Sequence, residues 1–188
     1  LKKDRFRIRK KKNMQPPANS SALEYKTMPS PVGNIKLLAD ENALVAVLWE
    51  IDDEDRIKLN QYTQNNNHPI LLETERQLNE YFENKRTKFD LPINLIGTDF
   101  QKRVWELLLT IPFGKTKTYG DMARQLGDPK TVRAVGGALH RNPISIIVPC
   151  HRVIGASGGL VGFAGGLNNK ALLLNLETAI KQTSLWED

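Results

Sequence analysis

The chain has 188 residues, 40% of them hydrophobic, a formal charge of +6 and a single cysteine, which suits one large domain or two small ones with a buried core. One cysteine excludes an internal disulfide, and three scattered histidines (His68, His140, His151) offer no zinc-site spacing, so neither a metal nor a cofactor is expected. No run reaches the roughly 18 to 20 apolar residues of a membrane span, and the basic N-terminus lacks the apolar h-region of a signal peptide, so the expectation is a soluble protein in a reducing compartment: the cytoplasm, or the nucleus in a eukaryote.

Residues 1–12, LKKDRFRIRKKK, carry a net +7, residues 13–97 a net −5 and residues 98–188 a net +4. A block as dense as the first reads as a solvated, disordered tail or an expression remnant, and with the linker that follows it occupies 1–21. The first residue is Leu, and Met14 is expected to lie nearer the natural start. The basicity that bears on partners is that of the C-terminal half, whose sign suits a phosphate backbone.

In ALEYKTMPSPVGNIKLLADENALVAVLWE, alternating and β-branched residues flank SPVG and ADEN. They predict three strands, about 23–28, 34–39 and 43–50, in an antiparallel meander. A polar loop containing QNNN follows. Leu71, Leu72, Leu78, Tyr81 and Phe82 then recur at helical spacing behind Pro69, predicting one helix over the sheet. This unit, 22–95, shows no catalytic constellation and reads as a support domain.

Composition shifts at FDLPINLIGTDF, where a second unit, 96–184, begins. TDFQKRVWELLLTIPFG has Thr98 or Asp99 as N-cap and a Pro-Phe-Gly stop, predicting a helix. A short extended piece, a helix near 120–126, the turn GDPK and a helix near 131–141 then have helix-turn-helix spacing. The second of these helices has AVGGAL at its centre, with no long polar side chains to read base edges. Two glycines there cost roughly 1 kcal/mol each, so something must approach that face closely, either another helix or a nucleic-acid backbone. In the second case Arg133 is the side chain placed to enter the duplex. The fold class is a two-domain α/β protein: a small N-terminal antiparallel sheet with a helix, and a mostly α C-terminal domain.

The lone Cys150 sits in SIIVPCHRVIG. SIIV, residues 145–148, reads as a buried strand ending at Pro149. Strand neighbours point to opposite faces, so Cys150 and His151 can cooperate only if the chain turns there. A base beside a thiol matters because the thiolate is the nucleophile. A glycine-rich loop then leads to a helix ending at Glu177, a carboxylate after an apolar face. Local chemistry leaves two readings open: a core cysteine with a satisfied histidine, or a nucleophile, its base and the group that orients the base.

NPISIIVPCHRVIG, with RAVGGAL and YGDMARQLG, closely resembles the O6-alkylguanine-DNA alkyltransferases, in register from about Phe100 to Glu177 and more loosely before that. The resemblance implies a ribonuclease-H-like N-terminal domain and a winged helix-turn-helix C-terminal domain. It implies single-turnover transfer of an alkyl group from O6-alkylguanine, or O4-alkylthymine, in double-stranded DNA to Cys150. In that scheme His151 deprotonates the thiol through a water and Glu177 holds His151. Arg133 replaces the flipped base from the minor groove, while Ala134, Gly136 and Gly137 let the groove come close. Tyr119 crowds a phosphate and donates to the guanine ring; Asn142 is the hinge between helix and active-site turn. Val153 offers its carbonyl to the base, Phe163 and Ala164 close over it, and Arg152 belongs to the same substrate and DNA-binding set. A monomer is implied. Phe163 and Ala164 stand where some relatives have Tyr and Ser, which removes hydroxyl contacts. A winged-helix regulator with an incidental cysteine and a cysteine hydrolase are the rival readings.

Overall fold

The computed structural model describes residues 22–51, 56, 57, 59 and 61–183, with side chains to residue 178. The expected tail and linker, 1–21, fall outside the described residues.

β1 (Leu23–Met28), β2 (Ile35–Ala39) and β3 (Leu44–Trp49) form the expected meander. The first turn needs Gly33, whose φ of 93° a side chain would strain, and Ser30 Oγ donates to its carbonyl at 2.6 Å. Asp40 closes the second turn by accepting from the amides of Asn42 and Ala43. A strand absent from the sequence reading, β4 (Tyr62–Gln64), pairs parallel to β1, giving the order β3-β2-β1-β4. Its three residues are all exposed and show no apolar alternation, so the stretch looks like loop. Helix α1 (Pro69–Phe82) buries Leu71, Leu78 and Tyr81 over the sheet.

The edge of β3 is covered from both units. Leu44 N–H donates to the carbonyl of Pro92 in the end of the first unit, and Val47 N–H to that of Pro143 in the second. An edge that would otherwise be open is thus closed partly by its own unit and partly by the second domain.

In that domain α2 (Asp99–Leu109) starts at a capping box between Thr98 and Gln101, and buried Trp105 donates its indole N–H to Ala138 O at 2.8 Å. The short strand β5 (Lys117–Thr118) leads into α3 (Tyr119–Gln125), again with a capping box, Thr118 with Asp121. After a turn at Gly127 and a 3₁₀ turn, Pro129–Thr131, comes α4 (Val132–His140), completing the helix-turn-helix. A second 3₁₀ turn, Cys150–Arg152, leads to β6 (Val153–Ile154), which pairs with β5, and α5 (Leu167–Thr183) closes the domain.

Two local expectations are corrected. SIIV is a tight buried turn: Ile146 has φ 72°, Ile147 N–H donates to Ser145 O and Val148 N–H to Ile144 O. An apolar run of four reads the same in either geometry, and here a side chain satisfies the backbone, Asn142 accepting from Ile144 N–H and donating to Val148 O. Glu177 does not end its helix, since α5 runs on to Thr183. The carboxylate therefore projects from a helix interior.

Candidate active site

The turn at Pro149 puts Cys150 and His151 on a single turn of 3₁₀ helix, which removes the strand restriction. His151 is fully buried, and its Nε2 lies 2.8 Å from Glu177 Oε1. A carboxylate only accepts, so Nε2 carries the hydrogen and Nδ1 keeps its lone pair. That Nδ1 is buried and has no protein hydrogen-bond partner among the described residues. Burial lowers the imidazole's proton affinity more than Glu177 raises it, so the ring is neutral at physiological pH.

Five donors converge on Glu177. Oε1 accepts from His151, from Arg152 Nη2 at 2.9 Å and from Tyr81 O–H at 2.9 Å. Oε2 accepts from Arg152 Nε at 2.8 Å and from Gly114 N–H at 3.0 Å. Burial alone would favour the protonated acid, but the partnership with His151 and Arg152 outweighs it and holds the carboxyl pKa at about 2. Arg152, grouped with the DNA-contacting residues on sequence, instead turns inward: it is buried and also donates to Ile111 O at 2.6 Å. Its work is to hold Glu177.

Cys150 lies at the floor of a cavity of about 260 Å³. Tyr119 on α3 forms one wall, Gly136, Leu139 and His140 on α4 another, and Val161, Gly162 and Phe163 in the glycine-rich loop the third. Burial pushes the thiol above its ordinary pKa, against a hydrogen bond from Asn142 and the positive charges of Arg56 and Lys170. The resting sulfur is therefore a thiol, and ionisation belongs to the reaction itself.

On α4, Arg133 and Ala134 are exposed. A methyl group at Gly136 would meet nothing nearer than Tyr119 Cε1 at 3.9 Å, and at Gly137 nothing nearer than Arg141 Nη1 at 3.8 Å. Among the described residues no helix crowds the two glycines, so of the two expectations the packed helix is not the one these residues support. Asn142 is fully buried at the hinge. Phe163 packs edge-on against Trp49 of β3, with ring centroids 5.4 Å apart. Ala164 follows it but does not line the cavity, and Val153 is buried in β6. Gly165 is required by close approach: a methyl there would sit 2.6 Å from the Trp49 ring.

Three residues escaped the sequence reading. Lys170 is fully buried and donates to Val161 O at 2.7 Å, the carbonyl that also accepts from Tyr119 O–H at 3.1 Å. A signal existed, since Lys170, Leu173 and Glu177 follow i, i+3, i+7 and are all buried. Arg56 Nη1 donates to Asn142 O at 2.9 Å and to His140 O at 3.2 Å. Tyr81 was read as one more apolar position of its helix. Nothing local announces either cross-domain contact.

This is a two-domain α/β protein in which the domain that contains the helix-turn-helix also holds a buried cysteine, a neutral imidazole and an ionised carboxylate beside an open cavity. Residues 99–179 match the family model for the 6-O-methylguanine DNA methyltransferase DNA binding domain, and residues 23–95 that for its ribonuclease-like domain. A methylated-DNA-protein-cysteine methyltransferase of Mycobacterium leprae is 46% identical over 163 residues, 87% of this chain and 97% of that protein. The constitutive one of Bacillus subtilis is 43% identical over 157 residues, 81% of this chain and 94% of that protein. Among solved structures, Mycobacterium tuberculosis OGT in complex with DNA superposes with a TM-score of 0.77 at 44% identity, covering 83% of this chain and 93% of that one. The chain belongs to the methylated-DNA-protein-cysteine methyltransferases, a family of DNA repair alkyltransferases.

Proposed function

We propose that Cys150 accepts the alkyl group of O6-alkylguanine in DNA, once and irreversibly. The observation that carries this reading is the cavity with the thiol at its floor, next to an imidazole whose second nitrogen is already committed to an ionised carboxylate. His151 Nδ1 takes the thiol proton through one water. Sulfur forms a bond to the alkyl carbon as the carbon–O6 bond breaks, and that electron pair stays on the purine. Protonation of the purine, for which Tyr119 O–H in the cavity wall is the donor in this scheme, restores guanine. The product is a thioether, which water does not readily cleave, so one molecule performs one repair.

The target atom lies inside a duplex, so the base must leave the stack, which costs a few kcal/mol and least for a weakly paired lesion. The open glycine face of α4 suits close approach of a minor groove, with Arg133 exposed at its front to fill the gap. Val153 O and the loop at Phe163 and Ala164 are the remaining contacts for the base. O4-alkylthymine is a second substrate on the same logic. The protein acts as a cytoplasmic monomer, or a nuclear one in a eukaryote.

The test is intact mass after incubation with a duplex carrying O6-methylguanine. A stoichiometric gain of one methyl, absent in Cys150→Ser, is expected. Tight binding without a mass change would instead favour a regulator, and an adduct that hydrolyses with time a cysteine hydrolase.

A further inference from the structure

The Tyr81 hydroxyl reaches Glu177 from the other domain, 96 residues away in sequence. Its ring has no freedom to swing off: it is 1% exposed and packed against Phe82, Phe89 and Phe113, with centroids 5.4, 5.4 and 6.1 Å away. The oxygen it donates to is Oε1, the one that also receives the His151 Nε2 hydrogen. Arg152 Nη2 donates to the same oxygen, and donors that share one oxygen compete for its charge. Each weakens the pull on the other's proton.

We propose that Tyr81 is a positioning residue of the alkyl-transfer site, supplied by the N-terminal domain, whose hydroxyl sets how strongly Glu177 draws on the His151 proton. The inference rests on the reading of Cys150 and His151 as nucleophile and base. The N-terminal domain is then part of the catalytic apparatus rather than a support. Burial, with the adjacent Glu177 charge, raises the phenol far above its ordinary pKa, so the hydroxyl remains a donor throughout the working range. The groups facing the carboxylate are His151 and Arg152 from the active-site turn, Tyr81 from α1 and the Gly114 amide from the loop after α2. Facing the imidazole are Glu177, Arg152 and, more distantly, Lys170.

Removing the hydroxyl concentrates charge on Oε1 and makes the imidazole more basic. In Tyr81→Phe, with the full chain otherwise intact, the acid limb of single-turnover transfer from O6-benzylguanine should move up by about half a pH unit. On that limb the rate falls about threefold, while the alkaline plateau and duplex affinity stay within about twofold. Fluorotyrosine at position 81, a stronger donor of similar size, should shift the limb the opposite way and decides the matter should Tyr81→Phe not fold. A limb that does not move, or that moves the same way in both proteins, overturns the proposal. If wild type takes up no alkyl group, the reading of Cys150 fails instead. The His151 ring titration followed by NMR then still reports whether Tyr81 tunes it.

Discussion

Glu177 and His151 meet at 2.8 Å with both side chains fully buried, and Arg152 closes on the other side of the same carboxylate. The ionised acid cannot be neutralised without leaving a buried guanidinium uncompensated. Glu177→Gln should therefore destabilise the fold by about 3 to 5 kcal/mol, read by chemical denaturation, and slow alkyl transfer at least tenfold.

The same pair makes stability acid-sensitive. Glu177 has a folded pKa of about 2 against an ordinary 4.5, so its contribution is complete above pH 4.5 and is lost as pH falls toward 2. His151, depressed by burial from 6.5, acts in the same direction: below 6.5 the unfolded chain binds a proton that the folded one refuses. Denaturation midpoints should be flat between about pH 7 and 8, below the range where the raised Cys150 and Tyr81 begin to matter, and fall in two stages at lower pH.

Asn142 links the hinge to the active-site turn, donating to Val148 O and accepting from Ile144 N–H, and its amide favours the ionised form of Cys150. Asn142→Ala strands buried backbone groups and removes a donor that favours the thiolate. A loss of about 2 to 4 kcal/mol is expected, together with a shift of Cys150 alkylation by iodoacetamide to higher pH, measured by mass against pH.

Lys170 ties down the loop that walls the cavity, through Val161 O. Lys170→Met keeps the length of the side chain and loses the donor. Amide exchange across residues 161–166 should accelerate, and transfer from O6-benzylguanine should slow about tenfold. Unchanged exchange would leave the lysine without that role.

Arg133 is exposed on α4, away from the Glu177 cluster. On the proposal that this side chain serves base extrusion and not sulfur chemistry, Arg133→Ala should lower the rate on duplex substrate tenfold or more and leave the rate on free O6-benzylguanine within about twofold. Equal losses on both substrates would remove it from that role.

What could be read along the chain follows from where each signal lives. Three strands, α1, α2 and the helix-turn-helix are written in local periodicity and caps, such as Thr98 with Gln101, and the sequence PCHRV carried the nucleophile and base by resemblance. β4 and the SIIV turn were misread because neither has a local pattern: an exposed strand is held by its neighbour's ladder, and a buried apolar turn by the side chain of Asn142. Amino-acid order alone determined that one cysteine, followed by a histidine after a proline, was available for chemistry. Only the packed domains decided which oxygen receives the imidazole hydrogen, that Arg152 faces inward, and that Tyr81 and Arg56 from the first half complete a site in the second. Hydrogen bonds between distant segments leave no period in a sequence; they exist only once hydrophobic burial has brought the two surfaces together.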